Sequence, residues 1–230
     1  MAIQTKQIHG VILDVDGTLV DSNDAQAHAW IDAMADNGHQ VPFEKVRPLI
    51  GTGGDTVLPE TLGIDKDSDE GKKISQRRKE LVKTRYLSAI KPFPGAKDLL
   101  ERMHANGLTL VIATSAEPDE LQATLSTIGP HVQDLFTLET TSKDVQKSKP
   151  DPDIIQSALQ RSRCSADEVV MLGDTPYDIE SAAKANVKTI ALRSGGWKDG
   201  DLSQAIAIYT DPAGLLAHYD TSPLASGIPV

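Results

Sequence analysis

The 230-residue chain contains one cysteine, Cys164. That excludes an intramolecular disulfide and a zinc centre built on clustered cysteines, and it fits a reducing compartment. Basic charge is short: 23 Lys and Arg stand against 33 Asp and Glu, a formal net charge of −10. A nucleic-acid partner is not expected, because phosphate backbones are held by Lys and Arg. No apolar run approaches the roughly 18 residues that a membrane span needs, so no membrane association is expected. The opening Met-Ala-Ile-Gln-Thr-Lys lacks a basic region followed by a long apolar stretch. No secretory signal is read there, and a cytoplasmic location is expected. What remains is ordinary for a globular protein, with 39% hydrophobic and 24% charged residues. A chain of 24.7 kDa can bury a real core, as one large domain or two unequal ones.

Short apolar runs alternate with helical patterns. Ile8 to Leu13, Leu108 to Ala113, Val169 to Leu172 and Val187 to Leu192 read as buried strands rich in Val, Ile and Leu. Weaker strands are expected over Asp134 to Leu138 and Ala205 to Tyr209. Between them, Leu121, Leu125 and Ile128 share one helical face, as do Ile154, Ile155, Ala158 and Leu159. Gly107 sits where a helix would end after Leu99, Leu100 and Met103. Strands alternating with helices predict an α/β fold with a parallel sheet covered on both faces.

One connection is far too long. From Leu13 to Leu108 is about 95 residues, whereas a crossover helix with its loops needs a few tens at most. Something folded is inserted there. Ala27, Trp30, Ile31 and Met34 form a helical stripe ended by Gly38, and a charged helix is expected over Asp67 to Ile90. Lys91-Pro92-Phe93-Pro94-Gly95 then breaks the helix and returns the chain to the sheet. The expected domains are 1–20 with 91–230 as the sheet core, and 21–90 as a small helical domain. The hinges fall at Leu19 to Asp21 and Lys91 to Gly95. The tail from Asp220 to Val230 is expected to be irregular.

Asp14-Val15-Asp16-Gly17-Thr18 directly follows the first strand. Alternation points Asp14 and Asp16 to one side, at the carboxyl edge of a parallel sheet, where open α/β folds place ligands. An acidic turn is the plainer reading of such a pair on its own. Thr114-Ser115 ends the second strand, where a hydroxyl and free N–H groups could hold an anion, or could cap the helix starting near Glu117-Pro118. Lys149 lies among prolines in Ser148-Lys149-Pro150-Asp151-Pro152. Gly173-Asp174-Thr175-Pro176-Tyr177-Asp178 follows the strand Val169 to Leu172, and Asp174 could equally cap the next helix. Four polar motifs gathered on one sheet edge argue against four independent bland explanations.

In their order, Asp14-Val-Asp16-Gly-Thr, Thr114, Lys149 and Gly-Asp174 with Asp178, these motifs resemble the haloacid dehalogenase superfamily. The resemblance is to its phosphoglycolate phosphatase and beta-phosphoglucomutase-like branch, with a helical cap inserted after the first motif, and it covers Ile8 to His218. It implies a Rossmann-like core and a Mg²⁺-dependent hydrolase of a small phosphate monoester, phosphoglycolate or a sugar phosphate. It further implies Asp14 as nucleophile forming an aspartyl phosphate, and Asp16 as the acid and base that serves the leaving group and then water. Thr114 and Ser115 would bind phosphoryl oxygens, and Lys149 would offset negative charge. Mg²⁺ would be held by Asp14, the Asp16 carbonyl and Asp174, with Asp178 in support. The expected partner is a small phosphorylated metabolite, and the expected oligomeric state is a monomer.

Beyond these motifs the signals thin out. Lys72, Lys73, Arg77, Arg78, Lys79, Lys83 and Arg85 read chiefly as a solvated helix face. Arg47, beside Gly51-Thr52-Gly53-Gly54, lies where related caps contact substrate. Trp30 is read as core of the insert, and no histidine has metal-ligand spacing. A phosphosugar mutase is the alternative, weakened because Gln26 stands near the place where the compared mutases carry a His. A phospho-acceptor signalling domain shares an Asp, a hydroxyl and a Lys, but would be about half this length without the insert.

Overall fold

The computed structural model describes residues 5–144 and 147–229; Met1 to Gln4 and Val230 at the end of the tail lie outside them. Its strands are β1 (Thr5–Lys6), β2 (Gly10–Leu13), β3 (Val20–Asp21), β4 (Lys91–Pro92), β5 (Thr109–Ala113), β6 (Leu138–Thr140), β7 (Val169–Gly173), β8 (Lys188–Leu192), β9 (Ala207–Tyr209) and β10 (Ile228–Pro229). The α-helices are α1 (Asn23–Asp36), α2 (Phe43–Val46), α3 (Gly54–Leu62), α4 (Asp69–Leu81), α5 (Ala96–Ala105), α6 (Pro118–Ser126), α7 (Asp153–Ser162), α8 (Pro176–Lys184), α9 (Pro212–Ala217) and α10 (Pro223–Ser226). Six strands form one parallel sheet in the order β6-β5-β2-β7-β8-β9. The α/β reading with a Rossmann-like sheet holds.

Alternation along the strands builds a core on each face. Val11, Leu13, Leu110, Ile112, Val170 and Leu172 face α5 and α6, meeting Leu99, Leu100, Met103, Leu121 and Leu125. Ile12, Val111, Ala113 and Met171 face the other way, onto Ile154, Ile155 and Ala158 of α7 and Ala182 of α8. The strands are apolar on both sides because both sides are covered.

The long connection between β2 and β5 carries α1 to α4, which bury an apolar cluster of their own running from Ala27 to Val82. Trp30 belongs to it and is 6% exposed. The two places where the chain enters and leaves this segment lie side by side, since Val20 pairs with Pro92 and Asp21 with Lys91 in an antiparallel ladder.

Four expectations need correction. The weak strand expected over Asp134 to Leu138 is a short 3-10 turn, Val132–Leu135, followed by β6. The charged helix is shorter than Asp67 to Ile90: α4 ends at Leu81, passes through a π-helical turn, Val82–Tyr86, and then a 3-10 turn, Leu87–Ala89. The tail is not irregular, because α10 docks Leu224 into the core and β10 pairs with β1. Finally, the cap of α8 is Thr175 rather than Asp174. Its hydroxyl accepts from Asp178 N while the Asp178 carboxylate accepts from Thr175 N, a reciprocal box worth about 1 kcal/mol.

Candidate active site

The carboxyl ends of β2, β5 and β7 and the loop before α7 meet at one point. Asp14 follows β2, and its N–H donates to the carbonyl of Leu172 at 3.0 Å, which fixes its backbone one step beyond the strand. The residue is 4% exposed. Lys149 is buried beside it, with Nζ 2.5 Å from Asp14 Oδ1 and 2.7 Å from Asp178 Oδ1. Asp178 is thus engaged twice: Oδ1 holds Lys149, and Oδ2 accepts from Thr175 N at 3.0 Å and Oγ1 at 2.7 Å. Asp174, after β7, is fully buried and accepts from Thr18 Oγ1 at 2.8 Å and from Asn23 Nδ2 at 3.1 Å.

Two glycines make room for Asp174. Gly17 has φ +78°, in the left-handed region, and any Cβ there or at Gly195 would run into Asp174 Oδ2. In the sequence Arg193-Ser194-Gly195-Gly196 reads more plainly as a loop after a strand than as a segment approaching the site, and the structure sets Gly195 against Asp174.

Charge at this point is unbalanced. Ligand atoms of the Asp14, Asp174 and Asp178 carboxylates lie within 4.8 Å of one another, and one ammonium pairs with two of them, Asp14 and Asp178. Burial pushes the Asp14 carboxyl up to about 7; Lys149 opposes that rise, and Asp178 adds to it. Burial, then repulsion from Asp14 and Asp178, also carries Asp174 well above the usual carboxylate range. Burial works against the Lys149 ammonium, yet Asp14 and Asp178 outweigh it and hold the ammonium above its ordinary value. Three buried carboxylates with one fixed cation leave a formal surplus of two negative charges, a donor set that suits a hard divalent ion. The carbonyl oxygen of Asn23 is also buried without a hydrogen-bond partner and sits on the side chain that already donates to Asp174. An acceptor there fits a metal-bound water. The carboxylates present therefore fit a hard divalent ion such as Mg²⁺; Asp14 and Asp174 would form its holding set, while Asp178 anchors Lys149.

Asp16 points elsewhere. Its Oδ1 accepts from the Ser22 hydroxyl and from Gln26 Nε2, the latter at 3.0 Å. Asp14, Asp16, Thr114 and Ser115 share the lining of a small cavity of about 60 Å³. Thr114 does not cap α6, whose cap residue is Glu117; its Oγ1 instead accepts from Ala116 N at 3.2 Å. The Ser115 hydroxyl is buried and unpartnered. This small cavity adjoins one of about 490 Å³, with which it shares Trp30, Gly53, Gly54, Arg78 and Ser115 as lining.

The structure brings Asp14, Asp16, Thr114, Ser115, Lys149, Asp174 and Asp178 together. It does not bring Arg47 to the cavity wall beside Asp14. Arg47 Nε donates to Asp24 at 2.6 Å and Nη2 to the Gly195 carbonyl at 2.8 Å, which ties the inserted helices to the loop after β8. The cationic face of α4 and the turn after it is also not simply solvated: Arg78, Lys79 and Lys83 pair with Glu120, Glu117 and Asp119 at the start of α6. Ser22, Asn23 and Glu120 are not among the candidates read from the sequence, and Thr18 appears there only as the last residue of the first motif. Ser22 and Asn23 follow Asp14 by eight and nine positions at the start of a helix, and that was the available signal.

The family model described as haloacid dehalogenase-like hydrolase matches residues 11–192. The chain belongs to that family. Within it, a phosphoglycolate phosphatase of Yersinia pestis is 30% identical over 232 residues, covering 99% of this chain and 97% of the relative. A hydrolase from Pseudomonas syringae superposes with a TM-score of 0.82 at 29% identity over 95% of this chain and 99% of the other. A putative beta-phosphoglucomutase from Bacteroides vulgatus shares the fold, with a TM-score of 0.79 at 23% identity over 95% and 90% of the two chains. The protein is a phosphatase of this family. Among the described residues, no helix is long and apolar enough to cross a membrane.

Proposed function

We propose that the protein is a Mg²⁺-dependent phosphatase of a small phosphate monoester that works through an aspartyl phosphate on Asp14, with residues 21–90 as a cap over the site. One observation carries this reading. A buried carboxylate, Asp14, is held by a buried ammonium and faces the same small cavity as a second carboxylate, Asp16, which has separate partners. The first is placed to attack and the second to move a proton.

Asp14 Oδ1 is engaged by Lys149, which leaves Oδ2, with only a long 3.3 Å contact from Thr18, as the attacking oxygen. Ser115 and Thr114 offer hydroxyl and backbone donors to the phosphoryl oxygens. Lys149 screens the approach of one anion to another. When bound, Mg²⁺ would supply the remaining positive charge against the phosphoryl group. Asp16 gives a proton to the leaving oxygen and later takes one from water. The gap between the inserted helices and the sheet is bridged by Arg47, by Tyr177 Oη donating to the Pro48 carbonyl at 2.9 Å, and by Ser148 N donating to Asp55 at 3.0 Å. Such contacts keep bulk water from the site during transfer.

Phosphoglycolate is the first substrate to try, given the relatives. The cavity of about 490 Å³ beyond the phosphoryl site favours a larger leaving group such as a sugar, since Ser75, Gln76, Ser142 and Ser148 line it with hydrogen-bonding groups. The mutase alternative has less support, because the amide of Gln26 beside Asp16 carries no exchangeable charge. The test is phosphate release from a panel of phosphomonoesters, sugar phosphates and phosphoglycolate included, with Mg²⁺ and with Asp14→Asn as control. Release from one class, absent in the variant, supports the reading. No release from any, or equal release by Asp14→Asn, overturns it.

A further inference from the structure

Asp16 is the end of a larger network. Gln26 Nε2 has two hydrogens: one goes to Asp16 Oδ1 at 3.0 Å and the other to Glu120 Oε1 at 3.2 Å. The Gln26 carbonyl oxygen accepts from Arg78 Nη2, and Arg78 Nη1 donates to Glu120 Oε2 at 2.7 Å. Gln26, Glu120 and Arg78 therefore close a ring of hydrogen bonds. Gln26 is 3% and Glu120 2% exposed, and the Arg78 guanidinium lies 5.5 Å over the Trp30 ring.

The ring has a directional consequence. A carboxylate can only accept and a guanidinium can only donate. Turning the Gln26 amide over would set its oxygen against Glu120 and its NH₂ against Arg78, two repulsive contacts in a buried site. So the amide presents N–H, never C=O, to Asp16. With Ser22 also donating to the same oxygen, Asp16 Oδ1 is kept as an acceptor and Oδ2 is left for the reaction.

We propose that Glu120 and Arg78 are positioning residues for leaving-group protonation: they lock the Gln26 amide so that Asp16 delivers its proton from Oδ2. This rests on the reading of Asp16 as the acid. The three members come from three places, Gln26 from α1, Arg78 from α4 and Glu120 from α6 on the sheet side. The lock is complete only with the inserted helices seated on α6, so the acid is aligned when the site is covered.

The experiment is kcat/KM for wild type, Glu120→Gln, Arg78→Lys and Asp16→Asn on phosphate esters of rising leaving-group basicity, from 4-nitrophenyl through phenyl to an alkyl ester. In this two-step scheme kcat/KM reports phosphorylation of the enzyme alone. The Glu120→Gln variant should lose roughly ten- to a hundredfold on the alkyl ester, part of what general acid catalysis supplies, and about threefold or less on the nitrophenyl ester. Arg78→Lys keeps the charge but cannot span both partners, and should show the same slope, less steep; it serves as the readout if Glu120→Gln does not fold. Equal loss on every ester, or none, in a folded variant overturns the lock. If Asp16→Asn itself loses equally on all esters, the fault lies with Asp16 as acid. If Asp16→Asn is selective and the other two are not, the lock alone is wrong.

Discussion

Replacing Asp14 by Asn should make the metal-free protein more stable while destroying its activity. The reason is the surplus of buried negative charge. Each unit of pKa displacement corresponds to about 1.4 kcal/mol, and burial carries Asp14 from an ordinary 3.8 to about 7, so ionising it in the folded chain costs about 4 kcal/mol relative to the unfolded one. The sign follows from proton binding. Between pH 4 and 7 the native state holds this proton and the unfolded state does not, so stability is present at the acid end and is lost as pH rises through about 7. Asn resembles the protonated acid and does not titrate. In chelator at pH 8, Asp14→Asn should therefore melt above wild type. Relaxation of the site would lower the gain to about 2 kcal/mol, or roughly 4–8 °C for a chain of this size. At pH 4.5, still above the unfolded value of 3.8, the gap should narrow to about 1 kcal/mol. Added Mg²⁺ should raise wild type more than the variant, because the variant has lost a holding carboxylate. Thermal melts across pH 4.5 to 8, with and without Mg²⁺, measure all of this. A variant less stable than wild type in chelator at pH 8, or a gap that does not change with pH, would refute the charge argument.

Other outcomes follow from the same geometry. Mg²⁺ should support turnover while Ca²⁺ binds and inhibits, since the larger ion takes more oxygens and could grip both oxygens of Asp14, turning the attacking atom out of line; equal rates in the two ions would contradict it. Lys149→Met strips the partner from two buried carboxylates and should cost about 3–5 kcal/mol in urea melts at pH 7.5 in chelator, together with activity; an active variant of wild-type stability would show that Lys149 is not the counter-charge. Gly195→Ala places a methyl against Asp174 Oδ2 and should weaken Mg²⁺ binding at least tenfold by calorimetry, comparable to disturbing a ligand's support; unchanged affinity would remove Asp174 from the holding set.

The sheet and the four motif positions were legible because each is written in one short stretch. Apolar runs covered on both faces are unambiguous, and Asp14, Thr114, Lys149 and Asp174 each sit in or beside the segment that places them. The contacts of the inserted helices were not legible. Arg78 and Glu120 are 42 residues apart, and each looks like one charge among several on an exposed-looking helix; pairing across two elements leaves no local pattern. The end of α4 was overrun because Val82 continues the apolar stripe while the backbone widens into a π turn. The tail reads as irregular in the sequence because its anchoring strand, β10, finds its partner β1 at the other end of the chain.

The most direct measurement of the central claim is a rapid-quench experiment on Asp16→Asn with 4-nitrophenyl phosphate and Mg²⁺. Nitrophenolate leaves without a proton, so phosphorylation can proceed while hydrolysis, which needs the base, stalls. The account predicts a burst of about one nitrophenolate per enzyme, and mass spectrometry that finds one phosphoryl group on the peptide containing Asp14. A folded, Mg²⁺-binding variant that shows no burst, or that carries the phosphoryl group on any other residue, would contradict it.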